Sequence, residues 1–389
     1  MNLKTCLAGL ALAATVCGAA SAAEPVRIGL VLALTGPFGA YGKQIQHGVE
    51  LYLATNGYTF GGRKIELIVK DDNPGTAGDV SKRLAQELVV KDKVDILAGF
   101  TLTPSAFAVA PIATEARKPM VVMNAATSAI TTKSPYILRT SMTLPQNTAP
   151  MASWAANNKI KKAFILVADY GPGYDAEAQF KKTFEAAGGE IAGDVRVPVK
   201  NPDYGPFLER IKDSKPDAVF LFLPPGAGTI AFMKGFTERG LAKAGIRLIA
   251  TGDLTDEEIL DAVGDDTLGI ITSFHYSEAH KSPENKAYTT AYHKAYPNDR
   301  PDFMSVGGYD GMHLIAEVLK KTHGNTDADA FAAAAKGMRW ISPRGPVSID
   351  PDTRDIVQDI YIRKVEKVEG TLQNVEFDHV AAFRDPGKE

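Results

Sequence analysis

The 389-residue chain contains very little cysteine, and both of its cysteines, Cys6 and Cys17, lie near the start. They belong to residues 1–23, where Lys4 is the only charge, an apolar run follows, and Ala20-Ser21-Ala22 supplies small residues at the cleavage spacing. That pattern predicts a secretory signal peptide, and the apolar run is too short to form a permanent membrane span.

Loss of this segment leaves a mature chain without cysteine, which excludes a disulfide, a thiolate metal ligand and a thiol nucleophile. Lipidation of Cys17 is not expected, because Val16 precedes it where the lipidation signal requires a smaller residue. The mature chain must therefore be stabilised by its apolar core. A chain of more than 350 residues is long enough to divide into two domains.

The sequence also lacks a strong excess of either charge. It has 43 basic and 46 acidic residues, and removal of Lys4 with the signal peptide leaves 42 against 46. Because there is no basic tract, nucleic acid and anionic membrane surfaces are not expected partners. No uninterrupted apolar stretch of spanning length follows residue 23.

Catalytic and metal-binding motifs are missing as well. The chain has no His-Glu-x-x-His, no Gly-x-Ser-x-Gly and no phosphate loop ending in Gly-Lys-Ser/Thr. Its seven histidines show no metal-ligand spacing, and Asp350, Asp352 and Asp355 surround Pro351 as in a solvated turn. We expect no enzyme activity, no metal and no cofactor, with a periplasmic hydrolase on an α/β scaffold as the competing hypothesis.

Apolar, β-branched runs alternate with amphipathic helical patterns along the rest of the chain. The apolar runs are typical of parallel strands covered on both faces: Val26 to Leu32, Lys64 to Val69, Asp95 to Ala98, Met120 to Met123, Ala163 to Val167, Ala218 to Leu223 and Arg247 to Ala250. The helical patterns between them are Gln44 to Ala54, Asp79 to Val90, Ala176 to Ala187 and Ile230 to Arg239. This alternation predicts a doubly wound α/β fold.

A weak internal repeat indicates two similar halves. Residues 63–95 and 190–217 each show a strand pattern, an Asn-Pro pair, a helix pattern and a second strand pattern. Two α/β lobes are the favoured interpretation, and one large α/β domain is the alternative. In open α/β sheets, ligands bind beyond the carboxyl ends of the strands, so the loops that follow the strands are the candidate site.

Two loops of small, hydroxyl-bearing residues follow consecutive strands. The first contains Thr103-Pro104-Ser105, with Thr103 as the expected N-cap and Pro104 at the first helical position. The second contains Ala125-Ala126-Thr127, where small side chains let a ligand approach the backbone. Hydroxyl groups and a helix N-terminus can bind a carboxylate without an arginine, although both loops could equally be an ordinary cap and turn.

The chain resembles the leucine/isoleucine/valine-binding protein family, the type I periplasmic binding proteins of ABC importers. The resemblance covers nearly the whole mature chain and rests on Val26-Arg27-Ile28-Gly29, Leu34-Thr35-Gly36-Pro37, Tyr41-Gly42, Asp71-Asp72-Asn73-Pro74, Leu138-Arg139-Thr140, Asp169-Tyr170-Gly171, Gly252-Asp253 and Tyr309-Asp310-Gly311. It implies a monomeric periplasmic protein that delivers a ligand to membrane permease subunits; delivery to a membrane sensor is the alternative.

The resemblance also implies the domain organisation and the site. It predicts two lobes joined by three crossovers, with residues 24–143 plus 278–354 in the N-terminal lobe and residues 144–277 plus 355–389 in the C-terminal lobe. In this family the loops matching Thr103-Pro104-Ser105 and Ala125-Ala126-Thr127 grip the ligand carboxylate, and Tyr41 lines the pocket. An acidic residue matching Asp253 holds the α-ammonium of the ligand, although Asp253 could instead cap the helix that begins near Asp256.

The chain departs from the family pattern where ligand identity is decided. Pro224-Pro225-Gly226 replaces a pocket tyrosine, and the loop containing Tyr170 and Tyr174 is about one residue longer than its counterpart, so either tyrosine could form the wall. His275 and Tyr276, near a crossover, are further candidates. An amino acid is the favoured ligand, and an aromatic or other non-amino carboxylate, an amide or urea is the alternative.

Overall fold

The structure, a computed structural model, describes residues 23–73, 78–200 and 202–388. The predicted signal peptide, apart from Ala23, and Pro74 and Asn201 of the repeated Asn-Pro pairs lie outside the described residues. The described residues form two α/β lobes, built on a six-stranded and a nine-stranded sheet. This arrangement confirms the doubly wound, two-lobed fold predicted from the sequence.

The sheet of the first lobe is almost entirely parallel. Its strands are β1 (Val26–Leu32), β2 (Thr59–Phe60), β3 (Arg63–Asp71), β4 (Ile96–Gly99), β5 (Met120–Val122) and β6 (Ile137–Arg139). They are arranged in the order β2-β3-β1-β4-β5-β6, and only β2 is antiparallel to its neighbour. In register, Ile28 of β1 lies beside Leu67 of β3 and Ile96 of β4.

The second lobe repeats this order and adds an antiparallel extension. Its strands are β7 (Lys162–Ala168), β8 (Glu190–Val197), β9 (Ala218–Phe222), β10 (Arg247–Thr251), β11 (Ile271–Phe274), β12 (Arg339–Ser342), β13 (Gly345–Ile349), β14 (Ile356–Val368) and β15 (Thr371–Phe383). The parallel part has the order β8-β7-β9-β10-β11, which matches β3-β1-β4-β5-β6 of the first lobe. The predicted likeness of residues 63–95 and 190–217 is therefore confirmed by two equivalent strand–helix–strand units.

Helices cover the faces of both sheets. They are α1 (Gly39–Asn56), α2 (Asp79–Val90), α3 (Thr103–Glu115), α4 (Leu144–Asn157), α5 (Gly171–Ala186), α6 (Gly205–Ser214), α7 (Ala227–Glu238), α8 (Glu257–Val263), α9 (Pro283–Ala295), α10 (Phe303–Lys321) and α11 (Ala328–Ala335). Short 3-10 helices span Gly36–Phe38, Ser128–Lys133, Gly252–Thr255, Gly264–Thr267 and Pro386–Lys388. Among the described residues, no helix has both the length and the apolarity needed to cross a membrane.

The apolar runs form strands because helices cover both faces of each sheet. Every residue of β4, β5 and β9 is buried. Ala85 and Leu88 of α2 and Val109 of α3 are buried on one side of the first sheet. Burial of each such leucine or valine side chain contributes about 1.5–3 kcal/mol relative to exposure, which is why these segments do not need a disulfide.

Three crossovers join the lobes, and the third differs in position from our expectation. The chain leaves the first sheet after β6, returns to the first lobe with α9–α11, and rejoins the second sheet at β12. We expected residues 339–349 in the first lobe with a boundary at 354, but β13 forms an antiparallel ladder with β14. The sequence does not reveal this placement, because β13 and β14 reach the second sheet only through the long-range pairing of β14 with β11.

Candidate ligand-binding site

One cavity between the lobes lies at the carboxyl ends of the parallel strands. Loops after β4, β5, β7, β9 and β10 reach it, as the general rule for open α/β sheets requires. The space open to a water-sized sphere in it is only about 30 Å³. That volume is far below the range of roughly 300–1,000 Å³ for small-molecule sites, so the lobes lie close together here and a ligand would have to displace the surrounding side chains or part the lobes.

Thr103 supplies a buried hydroxyl group at the first-lobe wall of the cavity. We expected Thr103 to be the N-cap of α3, but the N-cap is Leu102, and Thr103 and Pro104 occupy the first turn. The Thr103 hydroxyl makes no capping hydrogen bond; it lies 3.1 Å from the Thr127 hydroxyl and accepts from the Thr127 backbone N–H at 3.4 Å. Ordinary capping therefore does not account for this side chain.

The second loop presents its backbone to the same cavity through Ala125 and Ala126. The Ala125 N–H donates to the Phe100 carbonyl at 3.0 Å, so it is already committed. Among the described residues, the Ala126 N–H has no acceptor. Together with the Thr103 hydroxyl and the start of α3, it forms a set of donors suited to a carboxylate.

Phe100, which precedes these loops, has an unusual backbone conformation. Its φ is 68°, in the left-handed region that bulky side chains avoid, and its ring is fully buried. The conformation directs the Phe100 N–H to the Val31 carbonyl and the Phe100 carbonyl to Ala125. Such strain costs on the order of 1–3 kcal/mol and is typical of segments held in place for binding.

Asp253 lies on the second-lobe wall, after β10, and is 4% exposed. Its carboxylate accepts a 2.7 Å hydrogen bond from the Thr251 hydroxyl. Burial raises the pKa of Asp253 to about 6, against the opposing effect of that hydrogen bond. Asp253 does not cap α8, because that N-cap is Asp256, which accepts from the Glu258 N–H.

Aromatic rings and prolines form most of the remaining wall. The rings of Tyr170 and Phe222 are stacked with centroids 6.1 Å apart and an interplanar angle of 17°. The other apolar lining residues are Leu102, Met142, Leu144, Pro172, Pro224, Pro225 and Phe303. A flat apolar ligand would bury its faces against such surfaces.

Direct hydrogen bonds link the lobes beside the cavity, and two of them involve cavity or loop residues already described. The Tyr41 hydroxyl donates to the Pro225 carbonyl at 2.5 Å, and the Ser128 N–H donates to the Asp175 carboxylate at 2.8 Å. Burial raises the pKa of Tyr41 well above its ordinary value, so its hydroxyl remains a donor at neutral pH. The lobes are therefore in contact around the cavity, as in a closed binding cleft.

The structure separates the two tyrosines that the sequence left as alternatives. Tyr170 lines the cavity, whereas Tyr174 is 41% exposed and its hydroxyl donates to the Asp169 carboxylate. Tyr174 lies one helical turn into α5, so its side chain points away from the cleft. It is removed from the candidate pocket residues.

His275 and Tyr276 also lie outside the cavity lining. Both are buried at the second crossover, where the Tyr276 hydroxyl donates to Asn285 at 3.2 Å. His275 contacts Phe274 and Phe303, and burial lowers its pKa well below the ordinary value. Both residues therefore lie at a crossover and not on the cavity wall, a distinction that their positions in the sequence do not reveal.

Three residues of the predicted carboxylate loops stand behind the cavity rather than on it. The Ser105 hydroxyl donates to Asp72 at 2.6 Å, and Pro104 packs in the first turn of α3. Thr127 contacts Thr103 and lies against Gly171 of the other lobe. These residues support the lining groups, because their own polar atoms have protein partners.

Sequence reasoning missed several wall residues, among them Phe222, Phe303 and Met142. Their apolar side chains look like ordinary core residues in the sequence, and only the meeting of the two lobes brings them together. Among the described residues, no group of three or more His, Cys, Asp or Glu side chains could hold a metal ion.

A cavity closed between two doubly wound lobes is the architecture of a solute-binding protein. The family model described as periplasmic binding protein matches residues 25–370. The chain belongs to this family.

Three relatives show how near the likeness is. The Leu/Ile/Val-binding protein homolog 6 of Brucella melitensis is 46% identical over 385 residues, which is 98% of this chain and 97% of the relative. An ABC-transporter solute-binding protein of Rhodopseudomonas palustris BisB5, solved in complex with 3,4-dihydroxybenzoic acid, is 53% identical with a TM-score of 0.90, covering 94% of this chain and 99% of that one. Its counterpart from strain HaA2, in complex with p-hydroxybenzoic acid, is 45% identical with the same TM-score and coverage.

Proposed function

We propose that this protein is the substrate-binding component of an ABC importer and that its ligand is an aromatic carboxylate of the hydroxybenzoate type. The observation that most supports the proposal is the composition of the cavity, which combines carboxylate donors on one lobe with aromatic walls and a buried acceptor on the other. The two solved relatives described above, which bind hydroxybenzoic acids, support the same ligand class.

The proposed pose follows from where the donors and acceptors lie. The ligand carboxylate would accept from the Thr103 hydroxyl and the Ala126 N–H on the first lobe. The ring would lie among Tyr170, Phe222 and Phe303, whose faces it would cover. A phenolic hydroxyl at the far end would donate to the carboxylate of Asp253, a charge-assisted hydrogen bond of the stronger kind.

An amino acid, which we favoured from the sequence, is the second candidate. The curated relative named for leucine, isoleucine and valine binding supports it, and the same Asp253 could then accept from the α-ammonium. We prefer the aromatic ligand for two reasons. Its ring would pack against the aromatic walls of the cavity, and Pro224 and Pro225 occupy the place of the pocket tyrosine expected for an amino-acid binder.

A thermal-shift screen of the mature protein tests the proposal. The panel contains 4-hydroxybenzoate, 3,4-dihydroxybenzoate, benzoate, leucine, isoleucine and valine. A ligand present at a hundred times its dissociation constant adds about 2.7 kcal/mol to the free energy of unfolding. We expect the hydroxybenzoates to raise the melting temperature most, and stabilisation by the aliphatic amino acids alone would overturn the proposed ligand class.

A further inference from the structure

We infer that Arg139, which does not line the cavity, is the positioning residue of the carboxylate-binding loop. The inference rests on the proposed function only in requiring a carboxylate ligand. The Arg139 guanidinium is fully buried at the end of β6. The guanidinium donates to the carbonyls of Ala125 at 3.1 Å, Thr127 at 2.8 Å and Ser128 at 3.3 Å.

These bonds determine where the loop N–H groups point. All peptide bonds of the described residues are trans, and in a trans peptide the carbonyl of one residue and the N–H of the next point in opposite directions. When Arg139 binds the Ala125 carbonyl from behind, the Ala126 N–H is directed away from Arg139. Ala126 lines the cavity, so this N–H is the donor that the loop offers to a ligand.

The neighbouring peptide units follow the same geometry. The Thr127 carbonyl binds Arg139, and the next N–H, that of Ser128, donates to Asp175 of the second lobe. The Ala126 carbonyl accepts from the Leu144 N–H at 3.1 Å, and the following N–H donates to Thr103. One guanidinium therefore helps to aim both the ligand-facing N–H and the N–H that bridges the lobes.

Asp355 fixes the guanidinium itself. Its Oδ1 accepts from both the Arg139 Nε at 2.8 Å and the Arg139 Nη2 at 2.6 Å, so two donors of the guanidinium converge on one buried carboxylate oxygen. Asp355 immediately precedes β14 and also contacts Lys388 and Thr131. A buried ion pair is weak evidence of stability, and here its geometric consequence is the orientation of the loop.

Arg139→Lys tests the inference, because lysine keeps the charge near Asp355 but cannot bind several carbonyls in a fixed plane. Arg344→Lys is the matched control. Arg344 is equally buried and binds backbone carbonyls and Asp310, but those carbonyls belong to Thr140 and Ser141 rather than to the loop. Both variants are measured at a temperature at which their circular dichroism matches that of the wild type.

Calorimetry with 4-hydroxybenzoate and with its neutral amide measures how strongly the protein prefers the carboxylate. If Arg139 only stabilised the fold, its replacement would weaken the binding of both ligands alike. Losing an aimed hydrogen bond to a charged group weakens binding about 10- to 100-fold. We expect that loss in Arg139→Lys for the carboxylate, with a much smaller change for the amide, and little change in Arg344→Lys. Equal affinities of the two variants for 4-hydroxybenzoate would overturn the inference.

Amide hydrogen exchange of the ligand-free proteins tests the role of Arg139 without requiring that the ligand be known. Arg139→Lys should speed exchange in peptides covering residues 124–131 relative to both wild type and Arg344→Lys, while exchange in β7 and β9 stays unchanged. Unaltered exchange in residues 124–131 would refute the positioning role. If wild-type protein does not bind 4-hydroxybenzoate, the proposed ligand is wrong, and the exchange measurement still decides the role of Arg139.

Discussion

At the scale of single residues, Asp253 distinguishes the two ligand classes. Its carboxylate is buried at the cavity wall. An amino acid would form a buried ion pair with it through the α-ammonium, whereas a phenol would donate a hydrogen bond to it as a neutral group. Replacing Asp253 with asparagine should therefore affect the two ligands differently. An asparagine oxygen can still accept from a phenol, but it cannot balance a buried positive charge.

We predict that Asp253→Asn weakens binding of 4-hydroxybenzoate by no more than about 1.5 kcal/mol, the size of one ordinary hydrogen bond. If the ligand is an amino acid, the loss should be about 2–5 kcal/mol, and its deaminated analogue should lose much less. Calorimetry of the wild type and of Asp253→Asn with both ligand types measures these losses of affinity. Asp256→Asn, a change to a buried neighbouring carboxylate outside the cavity lining, is the control.

The raised pKa of Asp253 predicts a dependence of stability on pH. Its pKa is about 6 in the folded protein and near 3.9 in an unfolded chain, so the folded state binds the proton more tightly. The free energy of unfolding of the ligand-free protein should therefore fall as pH rises from about 4 to about 6, by up to about 3 kcal/mol from this group. Denaturant titrations should show a smaller fall for Asp253→Asn, and an identical slope would contradict the burial of the carboxylate.

The sequence predicted which types of residue line the cavity better than it predicted which individual residues face it. Tyr41, Thr103 and Asp253 all line the cavity. Tyr174 and His275 do not, because one lies on the outer side of α5 and the other at a crossover. Neither placement can be derived from residue type, since it depends on which side of a helix or crossover faces the other lobe.

At the scale of secondary structure elements, the start of α5 is the part of the second lobe that approaches the carboxylate loop. Gly171 begins α5, and a Cβ placed there would lie 2.6 Å from the Thr127 hydroxyl of the first lobe. The approach is possible only because the side chain is absent. A methyl group at position 171 would therefore force the Thr127 side chain or the two lobes to shift apart.

Gly171→Ala should therefore weaken ligand binding at least tenfold and leave the unfolding of ligand-free protein nearly unchanged. The added methyl group would collide with Thr127 in the closed form, whereas an open form has room for it. Gly228→Ala, in the first turn of α7, is the matched control because its Cβ would meet only the Tyr204 hydroxyl at 3.3 Å. Calorimetry and chemical denaturation check the two expectations, and unchanged affinity in Gly171→Ala would contradict the closed contact.

The parallel elements of the fold follow the sequence closely. The expected strand from Val26 to Leu32 and the expected helix from Asp79 to Val90 have those bounds in the structure. Runs that are apolar on both faces, or that have a clear helical period, are local signals. The antiparallel strands β12 to β15 were not among the expected strands. They pair with one another as sequence neighbours but join the second sheet only through β14 beside β11, where residues far apart in the chain, such as Ser273 and Ile362, lie side by side.

At the scale of the whole molecule, three crossovers connect two lobes that meet around a small cavity. Hinge closure about a ligand is the motion that such an architecture permits. The crossovers and the lobes were predicted, whereas the boundary near residue 354 was not, since β12 and β13 join the second sheet.

We predict that ligand binding makes the molecule more compact. Small-angle scattering of the mature protein should show a smaller radius of gyration at saturating 4-hydroxybenzoate than without ligand, because closure moves the lobes towards each other. Gly171→Ala should show a reduced change at the same ligand concentration. Identical scattering of wild-type protein with and without a ligand known to be bound would contradict hinge closure.

The central claim is that the cavity recognises a hydroxylated aromatic acid. It is tested most directly by calorimetric titration of the wild-type mature protein with 4-hydroxybenzoate and, under the same conditions, with leucine. We predict saturable one-to-one binding of 4-hydroxybenzoate and no measurable binding of leucine. Saturable binding of leucine with no heat from 4-hydroxybenzoate would contradict the claim and restore the amino acid as the ligand.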